Sequence, residues 1–369
     1  MYKGIAMNQK YNVKTISLFL LLIIATQNTW AKHTSRHTYR EPEYQPLCCK
    51  NRFALLAENT PSLEQLSPLC AKTLEPTIET QIEDKVLPIV LVHGLTQNGA
   101  SMADTKALLQ KLAPGTDVYT PDLPGNAFDN CPYQIQFLAD YINQIPALKN
   151  GFNLVCHSMG GIIGRGVIES GLLNYRAYSL ITLATPHQGI CGIPYTLSEI
   201  QRLTKQTPSL DDPLYEIMYT DYMQHHSSIA NIWNEPSQQE MYKKYNLYLP
   251  VYNNDIPHNN SAKHKQNLTA LLAFTALAAE KDTVLKPLES ARLDYYDSTG
   301  TKIVPLEESA DYNNLGYALL VAKNRLKRCT VPGVDHSTIR TDETTLRTYV
   351  VPSLIHESDI KNDADYVAL

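Results

Sequence analysis

Apolar positions fall along this chain in two rhythms, and their alternation sets the architecture. Residues 86–93 (VLPIVLVH) are a short, nearly continuous apolar run, as a strand buried on both faces requires. Residues 102–112 then carry apolar side chains at helical spacing. Residues 116–120 predict a second strand, closed by the turn-forming cluster Pro121-Asp122-Leu123-Pro124-Gly125. The pattern repeats with an amphipathic helix over 133–148, a strand over 152–156, a helix over 159–169 and a strand over 179–184. Such alternation predicts an α/β fold, a mostly parallel sheet with helices on both faces. From residue 190 the alternation stops. The chain to residue 266 is rich in Tyr, Asn, Pro and Met, with helical patches and no clear strand. An insertion here would overlie the carboxyl edge of the sheet, where ligands of α/β proteins bind, so 190–270 is read as a cap. Alternation resumes with 271–279. A last strand lies at 326–330, and a closing helix over 340–355 is interrupted late by Pro352.

The amino end adds a compartment. Lys3, Lys10 and Lys14 precede an apolar run over 16–25, and a short polar stretch ends at Ala31. Basic residues, a short apolar run and a small residue together predict a secretory signal peptide over 1–31, the run being short for a membrane span. An uncleaved signal anchor is the alternative. Residues 32–80 are polar and carry Pro42, Pro46, Pro61, Pro68 and Pro76, which reads as an N-terminal extension of a main domain over 81–369. The exported address is the lysosomal lumen or extracellular space in a eukaryote, and the periplasm or medium in a bacterium. An oxidising compartment predicts disulfides among the seven cysteines, 48, 49, 70, 131, 156, 191 and 329. Cys156 lies in a predicted central strand and reads as a buried free thiol; the pairing of the others stays open. The 369 residues carry a net charge of −5 without a basic run, which excludes a nucleic-acid-binding class.

The stretch NLVCHSMGG (153–161) carries the chemistry. An apolar strand runs into Ser158 and then into glycines that open a helix. This is the nucleophile-elbow pattern G-x-S-x-G with Cys156 in place of the first glycine. The serine must sit on a strained turn so that its hydroxyl stands above the sheet. Large side chains two residues before or after it would strike the neighbouring strand and helix, and Cys156 and Gly160 are small. An oxyanion requires two preorganised donors, which this pattern assigns to the backbone N–H groups of Met159 and of Leu95, the residue after the His93-Gly94 strand end.

The partners follow in the chain order serine, acid, histidine. Of the eleven histidines, His336 follows the last predicted strand, where a loop-borne base belongs. His93 and His157 lie at packed strand ends in the wrong position for a base. Asp335 is too close in the chain to orient His336 and reads as a turn residue. Asp282, just after the 271–279 strand, is the predicted acid, with Glu280 as its rival.

These residues resemble the palmitoyl-protein thioesterases, nearest the thioesterase-2 branch, over roughly 86–357. The likeness is carried by LVCHSMGG (154–161), LATPHQGICG (183–192), SIANIWNEP (228–236), and Leu249-Pro250 with Asn253-Asn254. It continues in Asp282-Thr283-Val284, Pro287-Leu288-Glu289-Ser290, Pro305-Leu306 and Asp335-His336. Met159 stands where that family usually has glutamine, and Ala291 where an aromatic residue is often found. The resemblance implies the α/β-hydrolase fold with a largely helical insertion after the sixth strand. It implies a triad of Ser158, Asp282 and His336 and no cofactor or metal. The substrate it implies is a fatty-acyl thioester, an S-acylated protein or acyl-CoA; a transient lipid or membrane contact and the oligomeric state stay open. A secreted lipase or carboxylesterase is the runner-up. A catalytically silent hydrolase-fold binding protein is the reading from another class.

Overall fold

A computed structural model of the chain describes residues 84–191 and 214–361. The predicted signal peptide and N-terminal extension, with Cys48, Cys49 and Cys70, lie outside the described residues, as do 192–213 of the insertion. In chain order the main elements are β1 (Ile89–Val92), α1 (Ala103–Leu112), β2 (Val118–Tyr119), α2 (Cys131–Asn143), β3 (Phe152–His157), α3 (Met159–Ser170) and β4 (Ala177–Leu183). After the insertion come α4 (Ser261–Thr269), β5 (Ala273–Ala279), a small antiparallel pair of β6 (Tyr295–Tyr296) and β7 (Ile303–Val304), α5 (Tyr317–Ala322) and β8 (Leu326–Val331).

Six strands form one sheet in the order β2-β1-β3-β4-β5-β8, and every neighbouring pair is parallel. The chain runs outward from β1 to β2, then crosses back to β3 on the other side of β1. The strand order therefore reverses beside β3, and its carboxyl end lies at the crevice where such sheets bind ligands. Strands β1, β3 and β4 are buried along their whole lengths, which is why their sequences are mostly apolar and present no solvent-facing polar side.

One face of the sheet packs Ile89, Leu91, Val155, Ile181, Leu183 and Leu277 against Leu109 of α1 and against Leu346, Val350 and Leu354 near the carboxyl end. The opposite side carries α3, whose Ile162, Ile163 and Val167 are fully buried, with α2 beside it. One polar side chain crosses this core without cost. Asn153, inside β3, donates to the Leu87 and Ile355 carbonyls at 3.1 Å each, and its oxygen accepts from Ile355 N–H and Ser179 Oγ. Every polar atom of that buried amide has a partner, as burial requires.

One expectation is corrected, and two others reach only in part into the described residues. Counted among the described strands alone, the insertion follows the fourth, β4, and the residues before Asp84 lie outside that count. The insertion itself is helical as expected, with short helices at Leu214–Met218, Asp221–His226, Ser228–Asn231, Gln239–Tyr245 and Leu249–Tyr252. The closing helix over 340–355 is broken into short turns. Asp342 accepts the Thr345 N–H at 2.7 Å and starts a new helix there, a π-turn spans Leu346–Val350, and a tighter turn spans Val351–Ser353 around Pro352. Finally, Cys131, Cys191 and Cys329 are free thiols, as is Cys156, in line with expectation, while pairing among Cys48, Cys49 and Cys70 lies outside the described residues. Burial alone pushes the Cys131 and Cys156 thiols up, so Cys156 is the inert core residue its strand position predicts.

Candidate active site

Ser158 joins β3 to α3 with φ 52° and ψ −126°. This is a left-handed backbone that a residue with a Cβ rarely adopts, and it is held because its surroundings over-determine it. The Ser158 N–H donates to the Leu183 carbonyl at 2.9 Å, and its own carbonyl accepts from Gly161 N–H and Thr185 Oγ1, each at 3.0 Å. The flanking glycines are required by contact. A Cβ on residue 160 would run into the His93 carbonyl oxygen and come within 2.8 Å of that of Val92; one on residue 161 would overlap Thr185. A Cβ on residue 94 would lie 2.8 Å from the Ser158 Cβ, so the end of β1 comes as close to the serine as backbone allows.

The other predicted residues converge on this hydroxyl. His336, on the loop after β8, brings Nε2 to 2.9 Å from Ser158 Oγ. Its Nδ1 lies 2.8 Å from Asp282 Oδ2, on the loop after β5. The carboxylate can only accept, so Nδ1 carries the proton and Nε2 is left as the acceptor facing the serine hydroxyl. Asp282 is 8% exposed, and its second oxygen accepts the N–H groups of Val284 and Leu285 at 2.8 and 3.0 Å. Those bonds fix the carboxylate plane before the histidine meets it.

The rival carboxylates point elsewhere. Glu280 accepts the Gly333 N–H at 2.8 Å on the exposed rim. Asp335 accepts the N–H groups of Ser337 and Thr338 at 2.9 and 2.8 Å. Those bonds hold its carboxyl below the usual carboxylate range; it is a turn residue.

Of the predicted oxyanion donors, Met159 is the first residue of α3 and Leu95 follows the β1 strand end. Both neighbours of Leu95 are committed: Gly94 N–H donates to Gln97 Oε1 at 3.1 Å and Thr96 N–H to the Asn126 carbonyl at 2.9 Å. At the Met159 end, the twelve-residue α3 adds the positive pole of its dipole. The Met159 side chain is itself buried.

The strand-end histidines are packed, as their positions predict, and one does more. His93 Nε2 accepts the Leu123 N–H at 2.8 Å. His157, buried beside Ser158, places Nε2 2.7 Å from the backbone carbonyl of His336, and the two rings lie 5.1 Å apart between centroids. Sequence reasoning missed this contact, because it joins residues far apart in the chain with no local signature. Among the described residues, no group of His, Cys, Asp or Glu is arranged to hold a metal ion.

A nucleophile elbow at the reversal of a parallel sheet, with a histidine and a carboxylate on later strand ends, defines an α/β-hydrolase. The palmitoyl protein thioesterase family model matches residues 88–336. The chain belongs to the palmitoyl-protein thioesterase family, and it is a serine hydrolase of the thioesterase kind. It is 27% identical to Lysosomal thioesterase PPT2-B of Xenopus laevis over 71% of this chain and 91% of that protein. It is 30% identical to Palmitoyl-protein thioesterase 3 of Dictyostelium discoideum over 65% of this chain and 81% of that one. Among solved structures, an extracellular α/β-hydrolase from a Paenibacillus species aligns over 73% of this chain and 99% of that one, at a TM-score of 0.38 and 19% identity.

Proposed function

We propose that Ser158, His336 and Asp282 are the nucleophile, base and acid of a fatty-acyl thioesterase acting on S-acylated proteins or acyl-CoA. The observation that carries the reading is the unbroken hydrogen-bond chain from Ser158 Oγ through His336 to Asp282. Ser158 Oγ attacks the acyl carbonyl as His336 Nε2 takes its proton, and Asp282 stabilises the imidazolium that forms. The tetrahedral oxyanion is met by the N–H groups of Leu95 and Met159. Collapse breaks the C–S bond, and the departing sulfur takes the proton back from the His336 imidazolium, which leaves the ring neutral again. A thiol pKa of about 8.5 makes the sulfur a good leaving group that demands little proton donation. His336 then activates the water that cleaves the acyl-enzyme.

The insertion over 190–270 acts in this reading as the cap that shapes the acyl site. A leader over 1–31, together with the lysosomal thioesterases among the relatives, supports a lumenal address. The test is a panel of acyl-CoA, S-acylated peptide, matched oxyester and triglyceride, with Ser158→Ala as control. Preferred cleavage of the thioesters, lost in Ser158→Ala, is expected. A clear preference for triglyceride would replace this reading with that of a lipase. Failure of Ser158 to react with a fluorophosphonate would replace it with that of a silent binding protein.

A further inference from the structure

We propose that His157 is a positioning residue for the base: its Nε2–H grips the backbone carbonyl of His336 and ties the base-bearing loop to the strand that ends in the nucleophile. The inference rests on the assignment of His336 as base.

The geometry has three parts. First, a carbonyl oxygen can only accept, so the 2.7 Å contact makes His157 Nε2 the donor, while Nδ1 faces Gln97 Oε1 at the longer distance of 3.3 Å. Second, the His157 ring is 2% exposed and inclined at 56° to the His336 ring, so it fills the space behind the base as well as holding its backbone. Third, His157 is the residue immediately before Ser158 and the last residue of β3. The nucleophile and the support of the base therefore sit on one rigid strand, hydrogen-bonded on both sides to its neighbours.

The ends of the His336 side chain are held by Asp282 and Ser158, but its backbone is on a loop. The β8 strand closes at Val331, five residues earlier, and the loop carries a glycine at positive φ, Gly333. A loop in that position needs an anchor if Nε2 is to stay at hydrogen-bond distance from Oγ through the reaction, and His157 supplies it from the fixed side. Burial, followed by the neighbouring His336, drives the His157 ring well below its ordinary pKa. His157 thus stays neutral and does not draw the proton that His336 must carry.

The distinguishing feature of a positioning role is that it is carried by the donor and not by the ring. The experiment compares His157→Phe, which keeps a ring without a donor, with His157→Gln, which keeps a donor without the ring. Kinetics are measured on a fatty-acyl thioester with cooperative melting as the check of folding. His157→Phe is expected to lower kcat about 10- to 100-fold, the scale of a sub-ångström to ångström misplacement of a reacting group, with KM within about twofold. His157→Gln is expected to recover most of the lost kcat. Wild-type kcat in His157→Phe overturns the proposal, as does a Gln variant no better than the Phe variant.

Should His157→Phe fail to fold, His157→Met takes its place, since Met and Gln differ mainly in the donor. If neither apolar variant folds, His157 is a core residue and the proposal falls. The parallel variants Ser158→Ala and His336→Ala separate the two levels. Loss of activity in both, with full activity in His157→Phe, sinks only the anchor. Retained activity in His336→Ala sinks the assignment beneath it.

Discussion

Asp282 meets His336 with one carboxylate oxygen and braces itself with the other. Oδ2 lies 2.8 Å from His336 Nδ1, while Oδ1 accepts two backbone N–H groups from the turn that follows it. The division of labour matters because the two oxygens can be altered separately. The turn needs only an acceptor, whereas the histidine needs an acceptor that is also negative.

Asp282→Asn exploits that difference. The amide keeps an oxygen for Val284 and Leu285 and presents an NH2 to His336. Nδ1 must then accept, the ring proton moves to Nε2, and the base can no longer take the Ser158 proton. The fold is expected to survive, with a melting temperature close to wild type, while kcat falls about 10⁴-fold, the scale of the same exchange in other Ser-His-Asp hydrolases. Steady-state kinetics beside a thermal melt decide it; a kcat within tenfold of wild type removes Asp282 from the triad.

The neighbouring carboxylates make the complementary case. Glu280→Gln keeps an acceptor for the exposed Gly333 N–H and touches neither His336 nor Ser158. Its kcat is expected within about twofold of wild type, and its stability within about 0.5 kcal/mol, the usual scale for exposed substitutions. A large kcat loss there would make Glu280 the acid.

A second polar cluster gives the fold a pH dependence with a definite sign. Asp311 is buried between Gln188, whose Nε2 donates to its Oδ2 at 2.6 Å, and the Asp255 carboxyl. Burial, and then the Asp255 charge, hold it well above the ordinary aspartate value of about 3.9. The folded chain therefore keeps a proton that the unfolded chain releases above about that value. Stability from this group is complete in acid and drains away as pH rises, by at most about 1.4 kcal/mol per unit, until the folded carboxyl itself ionises. Asp311→Asn imitates the protonated form at every pH. It keeps an oxygen for Gln188 and offers NH2 to Asp255. Its melting temperature is expected to match wild type near pH 4 and to exceed it increasingly towards pH 8. A difference that does not change with pH means Asp311 is ionised in the fold.

The site was more legible in the sequence than the frame around it. Ser158 is announced by its neighbours, since Gly94, Gly160 and Gly161 answer to close backbone or side-chain contacts that any Cβ would violate. Asp282 is legible because it follows a strand with an apolar signature, and His336 because it follows the last predicted strand; chain order then assigns their roles. Contacts between distant segments left no such trace. The His157–His336 bond spans 179 residues of chain and depends on two strands that no local pattern brings together. The carboxyl-terminal helix was misjudged because apolar spacing over 340–355 says nothing of the Asp342 cap that restarts it. The β6–β7 hairpin hid in a stretch whose turn is built by Asp297, which accepts from the N–H groups of Thr301 and Lys302.

The last prediction concerns the cysteine that departs from the elbow pattern. Cys156 stands where the pattern has its first glycine, and its sulfur lies under α3 at Gly164. A Cβ on residue 164 would come within 2.6 Å of Cys156 Sγ and 3.0 Å of Leu154 Cδ2. Both are on β3, at 0% exposure, so neither can step aside. Gly164→Ala gains about 1 kcal/mol of helix propensity but overpacks the interface by roughly 1–3 kcal/mol, so a net loss is expected in the wild-type background. Cys156→Gly removes the sulfur. In that background the same Gly164→Ala change is expected to turn neutral or stabilising, with a coupling of about 1–2 kcal/mol between the two sites. Denaturant unfolding of the four chains measures it. Additive costs would mean that the sulfur does not set the spacing of β3 and α3, and that the glycine at 164 answers to Leu154 instead.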